Sequence, residues 1–178
     1  DSVKWPDDDT FSAAWQSRNA YDTLNNWRIT YILKRLNNSF MSSKNEIISI
    51  DGPLTVEHIL PQAWVDNWPL PDGSKGMTYL ELLDSPPEDS RADATQKRNS
   101  MLHTIGNLTI LTQALNSSLS KSAWDTKKPA LLKASLLPIN QQLLHDATTW
   151  DERAIQDRSK ILFKKAVSIW REPSTTSH

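Results

Sequence analysis

The stretch Ile105-Gly106-Asn107-Leu108-Thr109-Ile110-Leu111-Thr112, continued by QALNSSLSKSAW over 113–124, decides how this chain reads. Its β-branched residues and alternation predict a strand over 105–111. Ser117–Ser122 can open a helix, and Pro129 suits the first turn of another running to about Leu136. Upstream, Ile47, Ile48 and Ile50 lead into the turn signal Asp51-Gly52-Pro53. Thr55-Val56-Glu57-His58-Ile59 then reads as a short strand stopped by Pro61. Outward from these two strands the pattern turns helical. Residues 11–37 carry Trp15, Leu24, Trp27, Ile29, Tyr31, Ile32, Leu33 and Leu36 mostly three or four apart, behind capping acids Asp7–Asp9. Pro138–Ala147 is a further predicted helix. Asp151–Arg171 is the clearest one, with Ile155, Leu162, Ala166, Ile169 and Trp170 on one face and Pro173 beyond its end. Residues 66–100, with four prolines and two glycines, predict an irregular insertion holding at most a short helix near Tyr79–Leu83. The expectation is a mainly α chain with a small β-hairpin.

Composition narrows the function. With 178 residues, the chain is long enough for one domain with a real core. It has no cysteine, which excludes a disulfide scaffold, thiolate metal ligands and a Cys nucleophile, and fits a cytoplasmic setting. No apolar run approaches the ~20 residues of a membrane helix, so no membrane partner is expected. The first ten residues carry four aspartates, no signal-peptide pattern and no initiating Met, so the expectation is a piece of a larger protein. The net charge of −1 hides an asymmetry. Residues 51–90 hold eight acids and one base, whereas residues 91–133 hold seven bases and two acids. Two solvated faces of opposite sign, or an acidic insertion beside a phosphate-facing surface, would both give this pattern.

Four histidines are present. His178 lies in the tail, His145 sits in a helical pattern, and His103 precedes the second strand. His58 stands apart, because it follows an acid, Glu57, inside a short apolar strand that ends at a proline. Of the eight tryptophans, Trp15, Trp27, Trp150 and Trp170 fall in or next to helical apolar patterns and read as core. Trp64 and Trp68 would either pack the insertion down or lie near a bound strand.

VEHILPQ at 56–62, IGNLTILT at 105–112, and Asn116 with Lys121 and Lys127 behind it together resemble the HNH branch of the His-Me finger (ββα-metal) nucleases. More narrowly, GNLTILTQALNSSLSKSAW followed by Lys127 resembles the C-terminal nuclease domain of GmrSD-type modification-dependent restriction endonucleases, phosphorothioate-sensing relatives included. The likeness extends to RITYILKRLN at 28–37 and to the helix carrying Ile155, Arg158, Leu162, Ala166 and Ile169-Trp170.

This resemblance implies a single HNH nuclease domain over 1–178. It would comprise a helical lead-in at 11–37, a ββα-metal finger at 55–127 with the insertion 66–100, and a helical part at 129–172. It also implies a metal-dependent DNA endonuclease, nicking or cutting double-stranded DNA as the effector of an anti-phage restriction factor. A nucleotide-hydrolysing sensor domain would then lie N-terminal to it or on a partner subunit, since this chain has no Walker-type glycine loop. An imidazole suits the task of deprotonating water near neutral pH, which nominates His58 as general base. Mg²⁺ or Mn²⁺ would want oxygen ligands, for which Glu57 and Asn116 are the candidates. By the same resemblance Asn107 fastens the finger loop, and Asn116 starts the finger helix. Lys121 and Lys127 are candidate phosphate contacts, and His103 a candidate contact to phosphate or metal. One geometrical tension stands: adjacent strand residues face opposite ways, so Glu57 and His58 can share a site only at a strand end. A catalytically silent nucleic-acid-binding or partner-docking module that keeps the finger is the alternative.

Overall fold

A computed structural model describes residues 5–41, 52–119, 122–145 and 147–171. Over these described residues the chain is mainly helical around one two-stranded antiparallel sheet. Helix α1 (Asp8–Ser17) is followed by a 3-10 turn at Ala20–Asp22 and by α2 (Asn26–Ser39). The single helix expected over 11–37 is therefore two helices with a break. Asn19 and Asn25 side chains cap the 3-10 turn and α2 through the Tyr21 and Arg28 amides, offering the backbone an alternative to a continuous helix.

Strand β1 (Leu54–His58) pairs with β2 (Leu108–Thr112), setting Glu57 opposite Thr109 and His58 opposite Leu108. The run Ile105–Asn107, expected to begin the second strand, is a 3-10 turn instead. The insertion is more ordered than its prolines suggest. It contains α3 (Tyr79–Leu83), as expected, and also α4 (Ser90–Met101), where the composition predicts irregular chain. Helix α4 escapes pattern recognition because it buries Ala92, Thr95, Arg98 and Met101, a stripe that is hardly apolar. Arg98 can be buried because Glu152 lies 2.5 Å away, the Trp68 and Pro69 carbonyls accept from Nη1, and the Trp64 ring lies under its guanidinium.

Then come α5 (Gln113–Leu119), α6 (Trp124–Ala134), α7 (Pro138–Leu144) and α8 (Glu152–Ile169). Pro129 lies inside α6 rather than in its first turn. The expected Ile47, Ile48 and Ile50 lead-in and Pro173 fall outside the described residues.

Two apolar clusters flank the hairpin. Ile29, Leu33 and Leu36 of α2, Leu162 and Ala166 of α8, and Leu108 and Ile110 form one. Trp64, Trp68, Trp124 and Trp150 join Leu60, Leu111 and Ile155 in the other. Strand alternation explains the division, since Leu108 and Ile110 face one side and Leu111 the other. Trp64 and Trp68 thus pack the insertion down. Trp15 and Trp150 are core, as expected, and Trp170 is half-buried. Trp27 is 64% exposed, contrary to its core reading.

Candidate active site

The two faces of β1 carry different chemistry. On one, Glu57 is buried and its carboxylate accepts from Lys127 Nζ at 2.5 Å. The same ammonium donates to the His58 carbonyl at 2.7 Å. Lys127 is fully buried from the start of α6, so its charge is directed inward rather than toward a phosphate. Burial pushes the Glu57 carboxyl up and the Lys127 ammonium down, against the attraction each exerts on the other. Asn116, in the middle of α5 rather than at its start, donates from Nδ2 to Thr55 Oγ1 at 3.0 Å and the Val56 carbonyl at 3.2 Å. Thr55 and Glu57 are two apart on β1, so these contacts bring Asn116 to the strand that carries Glu57.

His58 is the last residue of β1 and packs among aromatic rings. Its Nε2 lies 3.0 Å from His103 Nδ1, and the Tyr21 ring stacks on it with centroids 5.9 Å apart. Tyr21 also meets His103 edge-on at 5.4 Å. Burial, with His103 and Lys127 nearby, lowers the His58 pKa to about 4. Its imidazole is thus neutral at pH 7. Burial raises the Tyr21 phenol, and Glu57 adds to that rise.

Behind both faces sits Asn107, which is fully buried. Its Oδ1 accepts from the Leu60 amide at 2.8 Å and Trp150 Nε1 at 3.1 Å, and its Nδ2 donates to the Leu60 and Leu102 carbonyls. All four side-chain hydrogen-bonding positions are filled. The asparagine thereby ties the turn that follows β1 to the turn that precedes β2. Arg158 of α8 holds the same region, donating from Nη1 to the Gly106 and Leu108 carbonyls at 2.8 Å. Burial lowers its pKa to about 9, which still leaves it charged at pH 7. Gly106 permits this close approach, since a Cβ there would strike the Ile155 carbonyl oxygen.

The family model for the C-terminal domain of GmrSD restriction endonucleases matches residues 5–165, nearly the whole chain. The chain belongs to this family. Neither a curated protein nor a solved structure gives a significant match. Membership in the GmrSD C-terminal family gives the chain a nuclease role in restriction, with DNA as the substrate. Among the described residues no helix is long and apolar enough to cross a membrane.

Within this GmrSD domain, the structure brings His58 to His103, Glu57 to Lys127, and Asn116 to β1, with Asn107 tying the turns together. Lys121 lies outside the described residues. Among the described residues, no group of three or more His, Asp or Glu side chains converges as a metal cage. Three of the seven bases of 91–133 are spent on internal contacts, Lys127 on Glu57, Arg98 on Glu152, and Lys128 on the Ala147 carbonyl, whereas Lys97 and Lys133 are exposed. Sequence reasoning does not find Tyr21 or the roles of Trp150 and Arg158. No local pattern marks Tyr21, and Trp150 reads only as core, because each acts through a partner distant in sequence.

Proposed function

We propose that this chain is a metal-dependent DNA endonuclease of the HNH, His-Me finger type, the nicking or cleaving effector of a modification-sensing anti-phage restriction factor. One observation carries the reading: a neutral, ring-packed His58 ends the strand whose preceding residue is a buried carboxylate and on which Asn116 rests. The hairpin with α5 then serves as the ββα-metal finger, and the sensor domain is a separate unit.

His58 acts as general base. In the tautomer that donates from Nε2 to His103 Nδ1, the Nδ1 lone pair is left to take a proton from water. His103 orients that ring, and Tyr21 stacks against it. The donor set near Asn116 has the chemistry of a hard-cation site: one carboxylate, and an amide whose nitrogen is spent on β1, turning its oxygen away to accept. Glu57 and Asn116 would hold Mg²⁺ or Mn²⁺ with water completing the shell. The bound cation would supply Lewis-acid charge to the phosphate and the departing oxygen. Lys127 keeps the Glu57 carboxylate compensated inside the protein, and Asn107 fixes the turn that places both.

The test is nicking of supercoiled plasmid with Mg²⁺ or Mn²⁺, against an EDTA control. Wild type should give open circles, and His58→Ala should lower the rate by about 10²-fold or more. An undiminished rate in that variant removes His58 from the chemistry. A wild-type chain that binds DNA yet never nicks it supports the silent module instead.

A further inference from the structure

Helix α2 carries Arg28, Lys34 and Arg35 and no acidic residue. Its inner face buries Ile29, Leu33 and Leu36, whereas Trp27 and Tyr31, one turn apart, are 64% and 51% exposed. The Arg28 guanidinium lies over the Trp27 ring, 5.4 Å from its centroid. These aromatics and Lys34 form one wall of a groove of about 560 Å³ whose other wall is Leu54, Thr55 and Val56 of β1.

Two neighbouring flat rings in water, interleaved with cations, are the complement of a ligand with flat apolar faces and a repeating negative charge. Among the described residues, no carboxylate lines the groove. The groove also runs up to the candidate active site. Thr55 and Val56, which wall it, are the residues whose Oγ1 and carbonyl accept from Asn116. Helix α2 supplies an exposed basic surface beside the groove with Arg28, Lys34 and Arg35, whereas Arg98 and Lys127 of the basic segment 91–133 are turned inward.

We propose that the α2–β1 groove is a subsite for unpaired DNA, in which Trp27 and Tyr31 stack on bases and Arg28 and Lys34 hold the backbone. The inference rests on the DNA-nuclease reading and adds a substrate form to it. Stacking requires a base whose face is open, which a paired duplex does not offer along its length. The ligand is therefore a displaced, frayed or single strand leading toward Asn116.

The experiment measures anisotropy of a labelled 12-nucleotide single strand and of its duplex, in EDTA so that nothing is cleaved. Wild type should prefer the single strand. The Trp27→Ala/Tyr31→Ala variant should lose single-strand affinity by about 30-fold or more, as loss of two stacked bases implies. Its duplex affinity should fall less than threefold. Arg28→Gln/Lys34→Gln should flatten the single-strand salt dependence, by a log–log slope of about 0.7 for each phosphate no longer neutralised. Because all four side chains point outward, circular dichroism and melting should match wild type. Equal affinity of the aromatic variant and wild type for the single strand overturns the proposal. So does an equal loss on both DNA forms.

Plasmid nicking by the same preparations separates the two readings. Single-strand binding through α2 without any nicking defeats the nuclease and leaves the groove. Nicking with an α2-independent single-strand affinity defeats the groove and leaves the nuclease. If neither DNA form binds and the plasmid is not nicked, both fall. If wild type sediments as a dimer and the aromatic variant as a monomer of unchanged DNA affinity, the face belongs to a second copy of the chain, and the proposal is wrong.

Discussion

Replacing Asn107 by alanine should cost about 4 kcal/mol, because it strands the buried Leu60 amide and Trp150 indole N–H, each worth about 1–3 kcal/mol unpartnered. The Leu60 and Leu102 carbonyls also lose their donor, at smaller cost, since a carbonyl has a second lone pair. Against a typical stability of about 5–15 kcal/mol this is a large fraction. With a urea slope of about 2 kcal/mol/M, the unfolding midpoint should fall by about 2 M. Nicking should fall too, and excess Mn²⁺ should not restore it, because the loss is of loop position rather than of a ligand. Asn107→Asp sharpens the test. It keeps the acceptor for Leu60 and Trp150 but turns a carboxylate toward two carbonyls. Only the protonated acid can donate there, so its folded-state pKa is raised; stability is present at low pH and lost as pH rises through that value. A midpoint shift below about 0.5 M for Asn107→Ala would refute the clamp.

Three further outcomes are expected. Glu57→Gln or Lys127→Met alone should destabilise by about 3–5 kcal/mol, by leaving one buried charge uncompensated, whereas the double variant should cost less than the two singles together in a urea-melt cycle. His58 has a pKa of 6.5 in the unfolded chain and about 4 in the folded one, so the unfolded state binds the proton first as pH falls. Its contribution is intact above pH 6.5 and lost on descending to 4, by up to about 3 kcal/mol, and His58→Asn should flatten the urea-midpoint profile across that window. Gly106→Ala should lower stability by about 3 kcal/mol, because the Ile155 carbonyl oxygen that its Cβ would strike belongs to the α8 backbone; an unchanged melting temperature would show that α8 can yield.

Much of the candidate site's membership is legible in the sequence. An acid-His pair before a proline, a Gly-Asn turn into a β-branched strand, and an asparagine nine residues on are local features of type and spacing. Such features survive translation into structure because backbone preference and side-chain chemistry act over a few residues. The long helix α8 is legible for the same reason, its apolar stripe being repeated over several turns. Helix α4 and the exposure of Trp27 are not. Half of the α4 stripe is polar, and its Arg98 can be core because Glu152, 54 residues away, meets it.

The class of fold, the family, and the candidate residues for the chemistry (Glu57, His58, Asn107 and Asn116) can be read from the amino-acid order alone. Their environments cannot, and come from the way the chain packs. Packing spends Lys127 on Glu57, places His103 and Tyr21 against His58, and leaves two rings of α2 in water beside β1. Charge state and exposure depend on neighbours brought together from distant positions. Lys127 meets Glu57 across 70 residues, and no periodicity within either segment encodes that meeting.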